Sequence, residues 1–554
     1  MFEEGFVANT SGLRGSSELL NVEKNYGQIF SKAPTITREF LEKINNEMVP
    51  RKTAFFGYRM NTRKFIVLMG LILLFTFSTM GTITLWFTDV FRKRIESLFI
   101  ISENSPGYGL WKAPPVRAEV KIHIFNYTNV EDFERGLAQK LHVQELGPYV
   151  YFEKLEKVNI RFSPVDDTVS YQDKRHYEFS PELSTGSPND LVRVPNVPLL
   201  AGAAVVKNFN FLLRVSYQTL TNSLSEKPFT VQRAHNFVNG YDDPLFELSK
   251  SYLKYLDQRV FEQFGLLVWK QGIQPDVYTM NTGAHDLNKL GRIEKFNGKT
   301  HFDMWGSESC NSIQSSDGII YPGNQVRAKK DISFFIPQIC RKIQAKFVEE
   351  VRMLDKVPMY RYKIPLDIFE TTSNPENKCY CDLKNNICPP KGLFNATQCT
   401  FGAPIFYSWP HFHGADLSVL DSVSGLNKNF PLNNTFLDLH SKFGTMLRGK
   451  LKLQINVQVK KSFGMNVLHR YPDGLLLPMA WVEFGVEDKD LPEEVVELIY
   501  QITFTVKNLE FGLKYGCLLG SMVTFTCIFL VVKKHRQGRK RTDHMQRSVM
   551  DLVI

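Results

Sequence analysis

Two stretches of the chain lose every charge and read as unbroken apolar runs. Residues 65–87, FIVLMGLILLFTFSTMGTITLWF, are uncharged from end to end. Residues 511–532 contain a second such run, uncharged from Tyr515 to Val532 and bracketed by Lys514 and Lys533. About 20 apolar residues in a helix span the hydrocarbon core of a bilayer, so both are expected to cross it. The first starts too far into the chain, and is too long, for a cleaved leader; it is read as a signal anchor. Between the spans the prevailing period is two. Leu451, Leu453, Ile455, Val457 and Val459 alternate with Lys452, Gln454, Asn456, Gln458 and Lys460, which predicts a strand with one face buried and one wet. Val120, Ile122 and Ile124 alternate with Lys121, His123 and Phe125, and 158–162 and 169–179 behave similarly.

Helical spacing is confined to three places. Asn129 is placed to cap a helix over 130–141. Residues 201–225 carry Val205, Phe209, Leu212 and Leu213 at helical intervals, and 249–269 is the third stretch. Helices set into an antiparallel sheet give an α+β class, mainly antiparallel β. The expected organisation is a tail over 1–64, a span over 65–87, a large domain over 88–510, a span over 511–532 and a basic tail over 533–554. Both tails are polar enough to be disordered or only partly ordered.

The formal charge of +10 matters for where it sits. Residues 1–64 hold ten Lys/Arg against seven Asp/Glu, and 533–554 hold seven against two, which leaves the middle near neutral. Nucleic acid binding needs a concentrated basic footprint, so no nucleic acid partner is expected. The tail charges flank the spans, as Arg51, Lys52, Arg59, Arg63 and Lys64 before the first and Lys533, Lys534, Arg536, Arg539, Lys540 and Arg541 after the second. The positive-inside rule puts both tails in the cytoplasm. Arg92, Lys93 and Arg94 point the other way, but long loops translocate largely regardless of charge.

Six of the eight cysteines cluster in the middle domain, as Cys310, Cys340, Cys379, Cys381, Cys388 and Cys399; Cys517 and Cys527 lie in the second span. In an oxidising lumen six clustered thiols read as three disulfides, and spacing alone leaves fifteen connectivities open. Cys379 and Cys381 with His411 and His413 fit no common zinc spacing, and no metal or cofactor is expected. Sequons begin at Asn126, Asn395 and Asn433, all between the spans where glycosylation requires them. Asn9 also begins a sequon, but on the cytoplasmic side. No G-x-S-x-G, H-E-x-x-H or EF-hand pattern occurs. Residues 444–450 approach a phosphate loop, yet Leu451 stands where Ser or Thr must bind magnesium, and a strand follows where a helix should. The sequence is not read as an enzyme.

Several short stretches then line up. They are Glu145-Leu146-Gly147-Pro148-Tyr149-Val150-Tyr151, Lys174-Arg175-His176-Tyr177-Glu178-Phe179 and Val194-Pro195-Asn196. Further on come Gly240-Tyr241-Asp242-Asp243-Pro244, Asn297-Gly298-Lys299 with Trp305, the six cysteines, and Pro410-His411-Phe412. In this order, between two terminal spans, they resemble the class B scavenger receptor family, which includes fatty-acid translocase, the lysosomal integral membrane protein and insect sensory neuron membrane proteins. The resemblance covers roughly 65–535. It implies the pairing Cys310–Cys379, Cys340–Cys399 and Cys381–Cys388; the first two close long loops, about 3–5 kcal/mol each in the chain-entropy model. It also implies an irregular antiparallel barrel with a helical cap over 201–225 and 249–269 and an internal apolar tunnel. At the cap, Lys207, Arg214 and Lys227 would offer a modest cationic ligand-binding surface.

A tunnel makes physical sense. Each buried methylene gains about 0.8 kcal/mol, so exposing a sixteen-carbon chain costs roughly 12 kcal/mol. An apolar conduit from a docking site to the bilayer removes that barrier without ATP. The expected function is therefore a plasma-membrane receptor for lipid or lipoprotein ligands that passes lipid through its ectodomain. A lysosomal or endosomal protein-sorting receptor is the alternative, although Asp551-Leu552-Val553-Ile554 lacks an acidic dileucine arrangement. A two-span ion channel is a further alternative, but neither span carries an ionisable residue for a selectivity ring. Leu552-Val553-Ile554 suits strand addition to a PDZ domain. Gly516 and Gly520 form GxxxG, a helix-packing face, and a homo-oligomer is the remaining partner expectation. The 64-residue leading tail is longer than is usual in the family; either this extension has a sorting or partner role, or translation is also expected to start at Met48 or Met60.

Overall fold

The computed structural model describes Thr53–Phe55, Tyr58–Met60 and residues 62–550, apart from 256–259, 373, 382–386, 433–434 and 463. Asn9, Asn433, Met48 and the C-terminal Leu552-Val553-Ile554 lie outside the described residues. The chain divides into two compact units, residues 1–88 with 510–554, and residues 89–509.

In the first unit a helix runs over Thr62–Phe87, and all but the first four residues of the long C-terminal helix Val506–Met550 belong to the same unit. Both are long and apolar enough to cross a membrane. Their apolar segments pack through small residues. A Cβ on Gly81 would lie 2.9 Å from the Cys517 Sγ, and one on Gly520 would lie 2.9 Å from the Ser78 Oγ. Trp86 meets the Tyr515 ring edge-on at 5.5 Å. A Cβ on Gly516 would meet nothing within 4 Å, so of the GxxxG pair only Gly520 serves this contact. The C-terminal tail departs from expectation, since helix continues through the basic residues to Met550. Lys, Arg, Gln and Met are strong helix formers, and no proline interrupts them.

The second unit is built on a sheet of eleven consecutive wall strands. They are β1 (Ala118–Tyr127), β2 (Val143–Ser163), β3 (Thr168–Phe179), β4 (Tyr278–Asn281), β5 (Ile293–Phe296) and β6 (Ile332–Ile336), followed by β7 (Arg341–Met353), β8 (Val357–Lys363), β9 (Phe436–His440), β10 (Met446–Gln458) and β11 (Leu476–Val486). The spatial order is β5-β4-β3-β2-β1-β11-β10-β9-β8-β7-β6, with every neighbouring pair in that order antiparallel. Each strand thus lies beside its neighbour in sequence, and β1 and β11 join the two halves. The remaining gap, between β5 and β6, is sewn by one extended segment. The Ile293 N–H donates to the Ser315 carbonyl at 2.8 Å, Ser316 N–H to Ser333 O at 3.0 Å and Phe335 N–H to Ser316 O at 2.9 Å. Closure of this kind removes exposed sheet edges and gives the irregular barrel.

Three helix expectations are corrected. Residues 130–141 hold only the helix Val130–Arg135, because Gly136 adopts φ +83° and ends it. The Asn129 side chain does not cap that helix; it accepts from His142 N–H and donates to Lys140 O. Residues 201–225 contain two helices, Val197–Val206 and Phe211–Ser223, divided where the Asn210 side chain caps the second by accepting from Leu213 N–H. In the third stretch helix runs over Pro244–Tyr255, and a short 3-10 turn over Val268–Lys270 follows later. Gly147 in β2 is a required glycine: its φ is +115°, and a Cβ would lie 2.7 Å from the Ile122 carbonyl oxygen.

Candidate functional site: an apolar cavity beneath the cap

The helices Val197–Val206, Phe211–Ser223 and Pro244–Tyr255 roof a cavity of about 1200 Å³. Their contribution is Val197, Ala201, Val205, Tyr217, Leu220, Leu245, Leu248 and Tyr252. Below them, Phe264, Leu266, Trp269, Phe302, Met304, Ile405, Tyr407, Ile455 and Met479 form the sides. The Cys340–Cys399 disulfide also lines it. Pockets for drug-sized ligands run to about 300–1,000 Å³, so this one has room for a long alkyl chain.

The wall strand β10 contributes Ile455 to this cavity. The period-two pattern in β10 predicts apolar in and polar out, with the polar side wet. The structure inverts the burial over 451–456: Lys452, Gln454 and Asn456 are the deeply buried residues, at 7%, 0% and 0% exposure, while Leu451, Leu453 and Ile455 on the other face are only partly covered. Past the register irregularity between Ile455 and Asn456 the expected pattern returns, with Val457 and Val459 buried. The apolar face packs against the main hydrophobic core, with Ile455 reaching the cavity, and the polar face is sealed beneath the segments 405–430. The Gln454 side chain accepts from His411 N–H at 2.6 Å and donates to the Asn456 carbonyl oxygen at 2.7 Å; Asn456 in turn donates to the Ser408 hydroxyl at 3.0 Å. Lys452 pairs with Glu483 at 3.4 Å.

A carboxylate latch stands on the same outer face. Glu145 lies 2.7 Å from His123 Nδ1 and 2.9 Å from His411 Nε2, and it accepts from Trp481 Nε1 at 3.1 Å. His123 stacks on Trp481 with centroids 3.8 Å apart. The Asn427 N–H donates to His411 Nδ1 at 3.1 Å, which leaves Nε2 as the ring nitrogen that faces Glu145. Burial works to raise the Glu145 pKa, but the hydrogen bonds and charges of the two histidines outweigh it and hold it at about 2.

Disulfides join Cys310 to Cys379, Cys340 to Cys399 and Cys381 to Cys388, with Cα separations of 6.5, 6.0 and 4.4 Å. Cys517 and Cys527 are free. Among the described residues no group of His, Cys, Asp or Glu is placed to hold a metal. Asn126 and Asn395 are both half-buried. The Asn126 carbonyl oxygen accepts from Arg193 N–H, and that of Asn395 accepts from the Thr397 N–H and hydroxyl.

The three cationic cap residues do not share one role. Lys207 is exposed and lies 3.3 Å from Asp473. Arg214 is turned back, its Nε donating to Phe209 O at 2.9 Å. Lys227 is exposed. The outer surface of the second cap helix is instead apolar: Phe211 and Leu212 are 63% and 71% exposed.

Fold and cavity together define a class, a cystine-braced antiparallel barrel with an apolar cavity beneath a helical cap, in a chain with two helices able to cross a membrane. A family model described as the CD36 family matches residues 68–532, and the chain belongs to that family. It is 30% identical over 384 residues to scavenger receptor class B member 1 of Mus musculus, covering 69% of this chain and 73% of that protein. Against the Sus scrofa protein of the same name the identity is 27% over 470 residues, covering 84% and 89%. Lysosome membrane protein 2 of Mus musculus is 30% identical over 386 residues, covering 69% and 78%. The resemblance to class B scavenger receptors read from the motifs is thereby borne out.

Proposed function

We propose that the protein is a receptor, not an enzyme, that takes up lipophilic or lipoprotein ligands at the cap and passes lipid through its ectodomain to the bilayer. The observation that carries this reading is the apolar cavity of about 1200 Å³ directly beneath the cap helices. An unfilled apolar cavity of this size costs the fold packing that a solid core would supply; a stored alkyl chain restores it. The exposed Phe211 and Leu212 suit a lipophilic ligand surface better than the partly engaged Lys207 and Arg214 do. The similarity to proteins named scavenger receptors supports the same reading.

In this proposal both tails lie in the cytoplasm, Asn126, Asn395 and Asn433 carry glycans, and the protein works at the plasma membrane. The similarity to lysosome membrane protein 2 favours residence on endosomal or lysosomal membranes as a second reading, which fractionation of expressing cells decides.

Mass spectrometry of retained lipid tests the proposal. The full-length protein is exchanged into nanodiscs made of one perdeuterated phospholipid, and all non-deuterated lipid is then identified. The expected result is a long-chain lipid retained at a fixed ratio to protein. Absence of any retained alkyl chain overturns the proposal.

A further inference from the structure

His440 is the last residue of β9 and is 3% exposed. Its ring meets chain segments that lead to both apolar helices. On one side it stacks on Phe443, with centroids 4.6 Å apart, and Phe443 stacks in turn on Phe99 at 4.4 Å. Phe99 ends the short turn Ser97–Phe99, which follows the first apolar helix. On the other side Nε2 lies 2.9 Å from the hydroxyl of Thr503, also a buried residue. Thr503 sits in a π-helical turn, Gln501–Thr505, between the helix Glu493–Tyr500 and the long C-terminal helix. π-helical turns interrupt α-helices mostly where a local function requires them. Val496, Ile499 and Phe504 pack this segment against Met353 of β7 and Val357 and Met359 of β8.

The ring is satisfied only when neutral. Nδ1 accepts from the Lys442 and Phe443 N–H groups at 3.3 and 3.4 Å. A neutral imidazole has one acceptor nitrogen and one donor, so Nε2 donates to Thr503. The Thr503 hydroxyl gives its own hydrogen to the Ile499 carbonyl at 2.6 Å. A second proton, on Nδ1, would point at two N–H donors. Among the described residues the one charge that bears on the ring is a cation, Lys442 on the same turn. Burial first, and then Lys442, hold the His440 pKa down at about 4. Once Thr503 leaves, the ring meets water and regains its ordinary value, near 6.5. The undocked state then binds the extra proton more readily than the docked one. Docking is therefore at full strength above 6.5 and is lost as pH falls from there toward 4.

We propose that Phe443, His440 and Thr503 form an acid-released clasp, which holds the segment entering the second apolar helix against the barrel wall at neutral pH and frees it in an acidic compartment. The clasp does not depend on what the cavity carries. It gives the protein its own means of distinguishing a neutral membrane surface from an acidic lumen.

Hydrogen exchange of the full-length protein in phospholipid nanodiscs, at pH 7.4 and 5.0 and corrected for the chemical exchange rate, tests the clasp. Amides of 496–506 are expected to lose about thirtyfold in protection at pH 5.0, roughly tenfold for each pH unit below 6.5, while β1 and β11 keep theirs. His440→Gln, which cannot take up the proton, should show the same protection at both pH values. Thr503→Val, which removes the acceptor of the ring N–H, should exchange faster than wild type already at pH 7.4. Unchanged protection of 496–506 in the wild type overturns the clasp. So does an undiminished acid loss in His440→Gln with β1 and β11 still protected. If those strands lose protection in the Gln variant, Thr503→Val decides, and protection equal to wild type at pH 7.4 overturns the clasp.

Discussion

Glu145 shows what a single residue contributes to this fold. Its carboxylate ties His123 of β1, His411 of the sealing segment and Trp481 of β11 into one contact set. The sequence displays Glu145 inside a recognisable motif, but its partners lie far away along the chain, so their meeting is a tertiary fact that no local pattern encodes. The same holds for His440, which stands in none of the motifs and meets Thr503 only in the folded chain. Because the folded pKa of Glu145 is depressed to about 2, its contribution is fully present above the ordinary carboxylate range, near 4.5, and is lost as pH falls toward 2. Glu145→Gln is expected to cost about 1–3 kcal/mol at neutral pH. In thermal melts the gap between wild type and variant should close as pH drops from about 4.5 to 2. A gap that stays constant across that window would show that the carboxylate charge contributes nothing.

Elements were legible in part. The strands on 120–124, 158–162, 169–179 and 451–458 were announced by their alternation, and both apolar helices by their length. Faces were harder. Alternation in β10 separates Leu451, Leu453 and Ile455 from Lys452, Gln454 and Asn456, but it cannot say which side will be sealed. Here the polar side is sealed, because a second layer supplies hydrogen-bond partners. Helix ends were missed at Gly136 and Asn210 for a related reason: one residue with a special conformation or a capping side chain outweighs several apolar residues at helical spacing. The two apolar helices allow a direct test of their register. Gly81 faces the native Cys517, so Gly81→Cys should form an intramolecular disulfide under mild oxidation, read as two ectodomain-cleavage fragments that remain linked. A cross-linked dimer in its place would mean that this face packs against a second copy.

At the scale of the whole molecule, the cyclic strand order is almost the simplest available, with each wall strand beside its neighbour in sequence. That the ends would be sewn by 315–316 was not readable, since a pairing segment of two residues carries no periodic signal. The cystine pairing came from family resemblance, because six thiols alone leave fifteen pairings open. The cavity was likewise inferred from the family, and its lining residues are scattered along the chain from Val197 to Met479. The central claim is that lipid moves through this hollow, and plugging it is the most direct test. Ile455→Trp, combined with Ala201→Trp, places indoles in the wall and the roof of the cavity. Initial rates of transfer of tritiated palmitate and of tritiated hexadecanol into expressing cells are measured, with surface protein matched to wild type. The account predicts that the plugged protein falls to the rate of cells lacking it, for both cargoes. Wild-type rates through the plugged protein would contradict it.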